Sequence, residues 1–227
     1  MKDSRNLKEN AYQQIKNMIF YQKLVPGQKL IYRDLSDKLK MSKTPIIDAL
    51  GRLDQEGFVE LIPNIGYLVK SISVKDIEDF FEAREALEIQ TIAVAIENQT
   101  EKNLKELEER IKRHRDYIVP VYDRKKLILD AKVHLQIAVM SGNKVILKLL
   151  SQIFEHLYFR HLVTMMHPAR LTISSLEHLE ILKLIKKRDY SKAKKMIRSH
   201  VRAARDNIIS VHSPKGEEEI IDLTANY

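Results

Sequence analysis

Hydrophobic positions in the first part of the chain follow a helical period. Residues 10–22 carry isoleucine and methionine at helical spacing, and Pro26-Gly27 interrupts this period. Two shorter helices are predicted next, over about residues 31–40 and from Thr44 until Gly57. Proline in a first turn and glycine just after a last turn are ordinary helix boundaries, because the first turn has no N–H to lose and the C-terminal cap often needs a positive φ.

An extended period follows the third helix. Residues 58–62 and 67–69 are rich in β-branched and aromatic side chains, and Pro63-Asn64-Ile65-Gly66 separates them. This pattern is typical of a β-hairpin. Three helices followed by a hairpin is the order of a winged helix-turn-helix, so we predict a winged-helix DNA-binding domain over residues 7–70.

From Val74 onward the hydrophobic period is helical throughout. Six predicted helices are joined by short connections, which is typical of a helical bundle. We therefore predict an all-α bundle of six to seven helices over residues 75–212. The tail, residues 213–227, contains proline, glycine and three consecutive glutamates, and we expect it to be mostly disordered. The predicted fold class is mainly α, with a small β-hairpin wing.

Composition narrows the functional classes. The chain has 227 residues, of which 44% are hydrophobic, enough for a buried core in one or two domains. It has no apolar run long enough to cross a bilayer and no signal peptide, so we expect a soluble, cytoplasmic protein without a membrane partner. The absence of cysteine means that any metal is held by histidine and carboxylate. A net charge of +8 suits an anionic partner such as nucleic acid.

The start of the third helix has the residue types that a DNA recognition helix presents. Small polar and basic side chains at its first turn can contact base edges in the major groove, and the helix dipole there favours phosphate. The alternative is an ordinary N-cap followed by a solvated basic face. The predicted DNA-binding residues are Ser42, Lys43 and Thr44 at the base edges, Arg33 and Arg52 at the phosphates, and Gly66 at the tip of the wing.

Four polar residues interrupt apolar helix faces in the predicted bundle. Asp130 and His134 are four residues apart and share one face of a helix. His178 and His200 lie at similar distances from the predicted turn at Arg188, so they can face each other across two antiparallel helices. One aspartate and three histidines suit Zn²⁺, Ni²⁺ or another divalent ion. The alternative is a polar core cluster in which these groups satisfy neighbouring backbone atoms.

The sequence offers little for catalysis. His114 interrupts a helix rich in lysine, arginine and glutamate, and we expect it to be exposed. No glycine-rich phosphate loop, nucleophile elbow or H-E-x-x-H motif is present. We therefore do not expect an enzyme. Two alternatives to a DNA-binding regulator remain: a metal-dependent hydrolase that uses the aspartate and histidine residues, and a helical interaction protein that does not bind DNA.

Motifs along nearly the whole chain resemble one bacterial family. The first half resembles the GntR family of winged-helix regulators, and the second half resembles the FCD effector domain of its FadR subfamily. The N-terminal motifs are Leu24 to Leu30, Leu35-Ser36, Met41 to Pro45, Ala49-Leu50, Leu53, Glu56 to Val59 and Pro63 to Gly66. The C-terminal motifs are Arg84 with Leu87-Glu88, Asp130-x-x-x-His134, Ser141-Gly142-Asn143, His178, Arg188-Asp189, Ala193, Met196 and His200.

The resemblance implies a ligand-responsive transcriptional regulator, with repression as the expected sign. It implies that Asp130 and the three histidines bind a divalent metal, that organic acids bind beside it, and that a homodimer binds a palindromic operator in double-stranded DNA. We expect a small carboxylate effector, because a divalent ion with one aspartate ligand keeps a net positive charge. The predicted effector-binding residues are Arg84, Asn143 and Arg170. For Arg84 and for Arg170 the alternative is a salt bridge, for example between Arg84 and Glu88.

The recognition helix departs from the family pattern at one position. Family members usually carry a basic residue, most often arginine, where this chain has Ile47, and arginine is also common at the position of Lys43. Arginine can bind guanine with two hydrogen bonds, whereas isoleucine can only touch a thymine methyl group or pack. This departure bears on the operator sequence and on the affinity for it, and not on DNA binding as such.

Overall fold

The computed structural model describes residues 2–118, 123–160 and 169–212. The N-terminal part contains α1 (Lys2–Phe20), β1 (Lys29–Leu30), α2 (Tyr32–Leu39), α3 (Lys43–Gln55), β2 (Val59–Ile62) and β3 (Gly66–Val69). The following part contains α4 (Val74–Glu97), α5 (Glu101–Asp116), α6 (Arg124–Ser141), α7 (Lys144–Arg160), α8 (Ala169–Lys186) and α9 (Tyr190–His212).

The chain divides into two compact units. The first comprises Met1–Ser73 together with Phe154–His161, and the second comprises Val74–Ile153 and Leu162–Tyr227. The change of unit between Ser73 and Val74 lies close to the predicted change of domain after residue 70. The tail predicted to be disordered, residues 213–227, lies outside the described residues.

The first unit is a winged helix with a three-stranded antiparallel sheet. The strand order is β1-β3-β2, and in the hairpin Val59 pairs with Val69 and Ile62 with Gly66. The predicted hairpin is therefore confirmed, whereas β1 was not predicted because two residues are too few to show an alternating pattern. Helices α1 and α3 pack with the sheet around a core that includes Ile15, Ile19, Ile46, Leu50, Leu53, Phe58, Val59, Tyr67 and Val69.

Helix α1 begins earlier than the sequence pattern indicates. It starts at Lys2 and not near residue 10. Most of the additional residues are polar, and two of them form ion pairs: the Lys8 ammonium lies 2.6 Å from the Asp48 carboxylate, and Glu9 pairs with Arg52 at 2.8 Å. Exposed polar residues leave no hydrophobic period, so the sequence could not mark this start.

The second unit is an all-helical bundle built from α4 to α9 in the described residues. Helix α4 packs against α6 and α9, α5 packs against α6 and α8, and α8 packs against α9. Side chains accept hydrogen bonds from backbone N–H groups at the start of several helices: Thr100 and Asn103 form a capping box at α5, and Asp123 caps α6. The predicted bundle of six to seven helices is confirmed. None of the helices in the described residues is long and apolar enough to span a membrane.

Helix α6 is largely buried within the bundle. Apolar side chains on several of its faces are buried, including Leu127, Val133 and Ile137. Because the helix is enclosed on most sides, its polar residues also become buried and must find partners inside the protein. Helix α6 therefore places polar side chains in the interior of the protein.

Candidate metal centre and DNA-binding surface

The four residues predicted to hold a metal come together inside the second unit. Helix α6 supplies Asp130 and His134, α8 supplies His178 and α9 supplies His200. All four side chains are buried, and one ligand atom from each lies within 4.8 Å of the other three. The spacing argument from the α8–α9 turn is therefore consistent with the structure, in which the His178 and His200 ring centroids are 4.7 Å apart.

The distances between these ligand atoms match a single coordination sphere. The Nε2 atom of His134 lies 3.3 Å from Nε2 of His178 and 3.1 Å from Nε2 of His200. The Asp130 carboxylate lies 3.7 Å from Nε2 of His134 and 3.6 Å from Nε2 of His178. Two ligand atoms about 2.1 Å from one ion are separated by about 3.0 Å at a right angle and about 3.4 Å at the tetrahedral angle. The donor set therefore fits a divalent ion with little adjustment.

Two glutamates contact the outer ring nitrogen, Nδ1, of two of the histidines. The Nδ1 atom of His134 contacts Oε2 of Glu88 at 2.6 Å, and Nδ1 of His200 contacts Oε2 of Glu177 at 2.7 Å. A histidine that donates its Nδ1–H to a carboxylate keeps the Nε2 lone pair for a metal. Sequence reasoning missed this role for both glutamates, since they lie on α4 and α8 and reach α6 and α9 only in the folded protein.

The electrostatics of the cluster favour the metal-binding protonation states. Burial alone would raise the pKa of Glu88, but the charges of Arg84 and His134 outweigh it and lower that pKa to about 2. The pKa of Glu177 is also lowered to about 2, because hydrogen bonds from His200 and Arg170 outweigh burial. Burial lowers the pKa of His200 as well. Ionised carboxylates and neutral imidazoles are the forms that bind metals.

Arg84 lies beside the Asp/His cluster. Its side chain is 1% exposed, its Nε donates to Glu88 at 2.5 Å, and its Nη2 donates to Nε2 of His134 at 2.9 Å. The salt bridge weighed as an alternative is therefore present, and the predicted effector-binding position is also adjacent to the cluster. A guanidinium this close to the ligand atoms can bind the carboxylate of a small molecule.

The other two predicted effector-binding residues have identified structural partners. Arg170 Nη2 lies 2.7 Å from Oε2 of Glu177 and 3.1 Å from the carbonyl oxygen of His200, so it supports the outer side of the cluster. Asn143 is exposed and caps α7 by accepting hydrogen bonds from two backbone N–H groups. It also lines a surface depression of about 330 Å³, which no residue of the Asp/His cluster lines.

His114 is buried, which contradicts the expectation that it is exposed. It is 1% exposed, and it shares one face of α5 with Leu107 and Ile111. That spacing continues a narrow apolar stripe, which the many charged residues of α5 obscured. Its Nδ1 lies 3.4 Å from Nδ1 of His178 and 3.4 Å from Oγ of Ser175. Burial lowers the pKa of His114 to about 4, so the ring is neutral at physiological pH.

The predicted DNA-binding residues at the start of α3 share one surface. Ser42, Lys43 and Thr44 are exposed at its first turn. Ser42 is the N-cap residue of α3, and its hydroxyl makes no capping hydrogen bond to the helix. Ile47 follows one turn later and is 40% exposed. Arg33 is exposed on α2, the helix before it in the helix-turn-helix.

Gly66 and Arg52 have different surroundings. Gly66 opens β3 with a φ of 104°, and a Cβ there would have no atom within 4 Å, so the glycine serves the turn and not a close contact within the chain. Arg52 lies near the end of α3, about 13 Å along the helix from Lys43. Its guanidinium pairs with Glu9 at 2.8 Å and Glu56 at 3.0 Å. Arg52 is therefore already paired with two carboxylates of its own unit.

A three-helix unit with an antiparallel wing and an exposed polar first turn on its third helix defines a DNA-binding protein of the winged helix-turn-helix class. Comparison of the sequence with protein families agrees with this class. Residues 7–69 match the family described as bacterial regulatory proteins, gntR family, and residues 79–203 match the FCD domain. The chain belongs to the GntR family of DNA-binding transcriptional regulators, and its second unit carries an FCD domain.

Individual relatives are similar to all or part of this chain. The Nta operon transcriptional regulator of Aminobacter aminovorans is 25% identical over 186 residues, covering 82% of this chain and 87% of its own. The HTH-type transcriptional repressor GlaR of Escherichia coli is 30% identical over 87 residues, 38% of this chain and 40% of its own. The structure of E. coli McbR/YncC has a TM-score of 0.73 at 20% identity, covering 90% of this chain and 97% of the other. The family and these relatives are regulators and not enzymes, which decides against the hydrolase and against a helical protein that does not bind DNA.

Proposed function

We propose that this regulator binds a palindromic operator as a homodimer, represses transcription, and releases DNA when a small carboxylate binds at a metal centre in the FCD domain. The observation that carries the proposal is the convergence of one aspartate and three histidine side chains, all buried, with ligand atoms at coordination distances. The repressor name of the E. coli relative supports the sign of regulation.

In this proposal Asp130, His134, His178 and His200 hold one divalent ion, with Zn²⁺ or Ni²⁺ as the first candidates. The nitrogen-rich donor set favours these ions over Mg²⁺ or Ca²⁺, which prefer oxygen ligands. When bound, the ion supplies a localised positive charge that attracts an anionic oxygen. Glu88 and Glu177 keep two of the histidine rings in the orientation that points Nε2 inward.

Arg84 is the first candidate to bind the effector. Its guanidinium already lies beside Nε2 of His134, so a carboxylate at the centre can accept two parallel hydrogen bonds from it. Arg170 is the second candidate, although it is engaged by Glu177. A role for Asn143 in effector binding stays a prediction, since its side chain is used as a helix cap.

On the DNA side, Lys43 and Thr44 are proposed to contact base edges, with Ser42 beside them. Arg33 and the wing tip at Gly66 are proposed to contact the phosphate backbone and the adjacent groove. A symmetric dimer places two such surfaces on half-sites related by a two-fold axis. A phosphate contact by Arg52 requires that it exchange a carboxylate partner, so we assign it the smallest share of DNA affinity.

A panel of hydroxy acids and dicarboxylic acids tests the proposal. With zinc-loaded protein, one acid should raise the melting temperature and release an operator duplex, because a ligand that binds the folded state stabilises it. Arg84→Ala should abolish both responses while leaving DNA binding without effector intact. Arg202→Ala is the matched control, since Arg202 also pairs with a glutamate but is exposed. Release of DNA by a neutral sugar, with every acid silent, would contradict the proposal.

A further inference from the structure

The three histidines of the cluster do not have equivalent outer partners. His134 and His200 each direct Nδ1 at a glutamate carboxylate. His178 instead directs Nδ1 at Nδ1 of His114, at 3.4 Å. The third metal-binding histidine is therefore oriented by a neutral ring where the other two are oriented by anions.

This contact fixes where the protons lie. Two Nδ1 atoms can share a hydrogen bond only if one carries the proton and the other offers a lone pair. His178 must keep its Nε2 lone pair for a metal, so it carries its proton on Nδ1 and donates it to His114. His114 then accepts at Nδ1 and carries its own proton on Nε2.

The Nε2–H group of His114 is left without a hydrogen-bond partner among the described residues. The ring is 1% exposed, so water is not freely available to it. The nearest carboxylate atom, Oδ1 of Asp130, lies 3.9 Å away, beyond hydrogen-bond distance. A buried donor without an acceptor is costly, so a bound molecule that brings an acceptor to this position removes that cost.

The backbone around His114 is held in place by a buried lysine. Lys126 Nζ donates to the carbonyl oxygen of His114 and, at 3.1 Å, to that of Tyr117. Lys126 lies on α6, one turn before Asp130, and is 3% exposed. The end of α5 is therefore tied to the helix that carries two of the proposed metal ligands, which restricts where the His114 ring can move.

We infer that His114 is a positioning residue of the metal centre, which orients His178 through Nδ1 and offers its Nε2–H to an oxygen of a carboxylate bound beside Asp130. The inference rests on the proposed metal site. It adds to the metal centre a fifth residue, which does not coordinate the metal. It also requires that the bound small molecule carry an oxygen that accepts a hydrogen bond. A group that can only donate hydrogen bonds finds no partner at this position.

Substitutions of His114 separate its two roles, which are to orient His178 through Nδ1 and to donate a hydrogen bond from Nε2. The side-chain amide of asparagine ends where histidine has Nδ1, and that of glutamine ends near Nε2. We would prepare His114→Ala, His114→Asn and His114→Gln in the full chain. Zinc affinity is measured by competition with a chelating dye, and acetate affinity by calorimetry at saturating zinc. Folding of each variant is checked by circular dichroism.

His114→Ala should weaken zinc binding by about 10- to 100-fold, the usual effect of removing an outer partner. Asparagine should restore zinc affinity to within about threefold but leave acetate binding at least about tenfold weaker, because it lacks the donor at Nε2. Glutamine should restore acetate affinity but leave zinc binding weakened, because its amide lies near Nε2 and it lacks the acceptor at Nδ1. His156→Asn, a histidine that stacks on Phe58 in the first unit, is the matched control and should change neither affinity.

The outcomes distinguish this inference from the proposed function. If the wild-type protein binds no zinc, the proposed metal site fails. If it binds zinc but His114→Ala binds it within about threefold of wild type, the positioning role is overturned. Long-range ¹H–¹⁵N correlation spectra of the zinc-loaded protein give an independent readout, because His114 should carry its proton on Nε2. A proton on Nδ1 of His114 would overturn the inference even if metal affinity fell.

Discussion

The histidines of the proposed metal centre differ in the group that their Nδ1 atom contacts. The Nδ1 atom of His134 contacts Glu88 and its Nε2 atom contacts Arg84, so the ring is oriented before any ligand binds. The sequence indicated the four ligands because they interrupt apolar stripes. It did not indicate Glu88 or Glu177 as their outer partners, since those contacts join different helices and exist only after folding. It also misplaced His114, whose stripe is hidden among charged neighbours.

Glu88→Gln tests the outer partner of His134. The substitution removes the anion that contacts both Arg84 and His134, so the buried Arg84–Glu88 ion pair is lost. We expect zinc affinity to fall about 10- to 100-fold. We expect the free energy of unfolding to fall by about 3 to 5 kcal/mol, measured by urea titration. Glu85→Gln is the control, because Glu85 pairs with Arg202 near the surface and should matter by less than about 1 kcal/mol.

The pH dependence of stability tests the buried neutral histidines. The pKa of His114 is lowered to about 4 in the folded protein, from 6.5 in an unfolded chain. Between these values the unfolded state binds the proton and the folded state does not, so stability is lost as pH falls from 6.5 to 4. We expect the metal-free protein to unfold at lower urea concentrations at pH 5 than at pH 7, and His114→Leu to reduce that difference. Equal midpoints at both pH values for the wild type would contradict this.

At the scale of elements, most of the fold was predictable. The helical periods, the hairpin and the six helices of the second unit follow from hydrophobic spacing and from turn residues such as Gly57. The exceptions have physical causes. Strand β1 has two residues, too few to alternate, and residues 6–10 of α1 are exposed. Elements that are short or exposed are stabilised by pairing with their neighbours, which the local pattern does not contain.

Helix α3 is the element on which DNA recognition is proposed to depend. Lys43→Ala should weaken binding to the operator by about 1 to 3 kcal/mol more than binding to a random duplex, if Lys43 contacts a base edge. Fluorescence anisotropy at fixed salt measures both affinities. Lys8→Ala is the control, because the Lys8 ammonium is paired with Asp48. An equal loss on both duplexes would assign Lys43 to a phosphate.

The whole molecule joins two separately packed units, a winged helix and an FCD domain. An effector bound in one unit can change DNA affinity in the other only if it binds the DNA-competent and the released states with different affinities. A metal that is needed to hold the effector should therefore be needed for the response. This dependence connects the buried Asp/His cluster to transcription.

The most direct test measures operator affinity of zinc-loaded and EDTA-stripped protein, with and without the acid identified by the panel. The loaded wild type should lose about 5- to 150-fold in operator affinity when the acid is added, the usual range of coupling between two sites. The stripped protein, and Asp130→Ala in either condition, should show no change. If the acid weakens operator binding equally in loaded and stripped protein, the metal centre has no part in sensing and the account is contradicted.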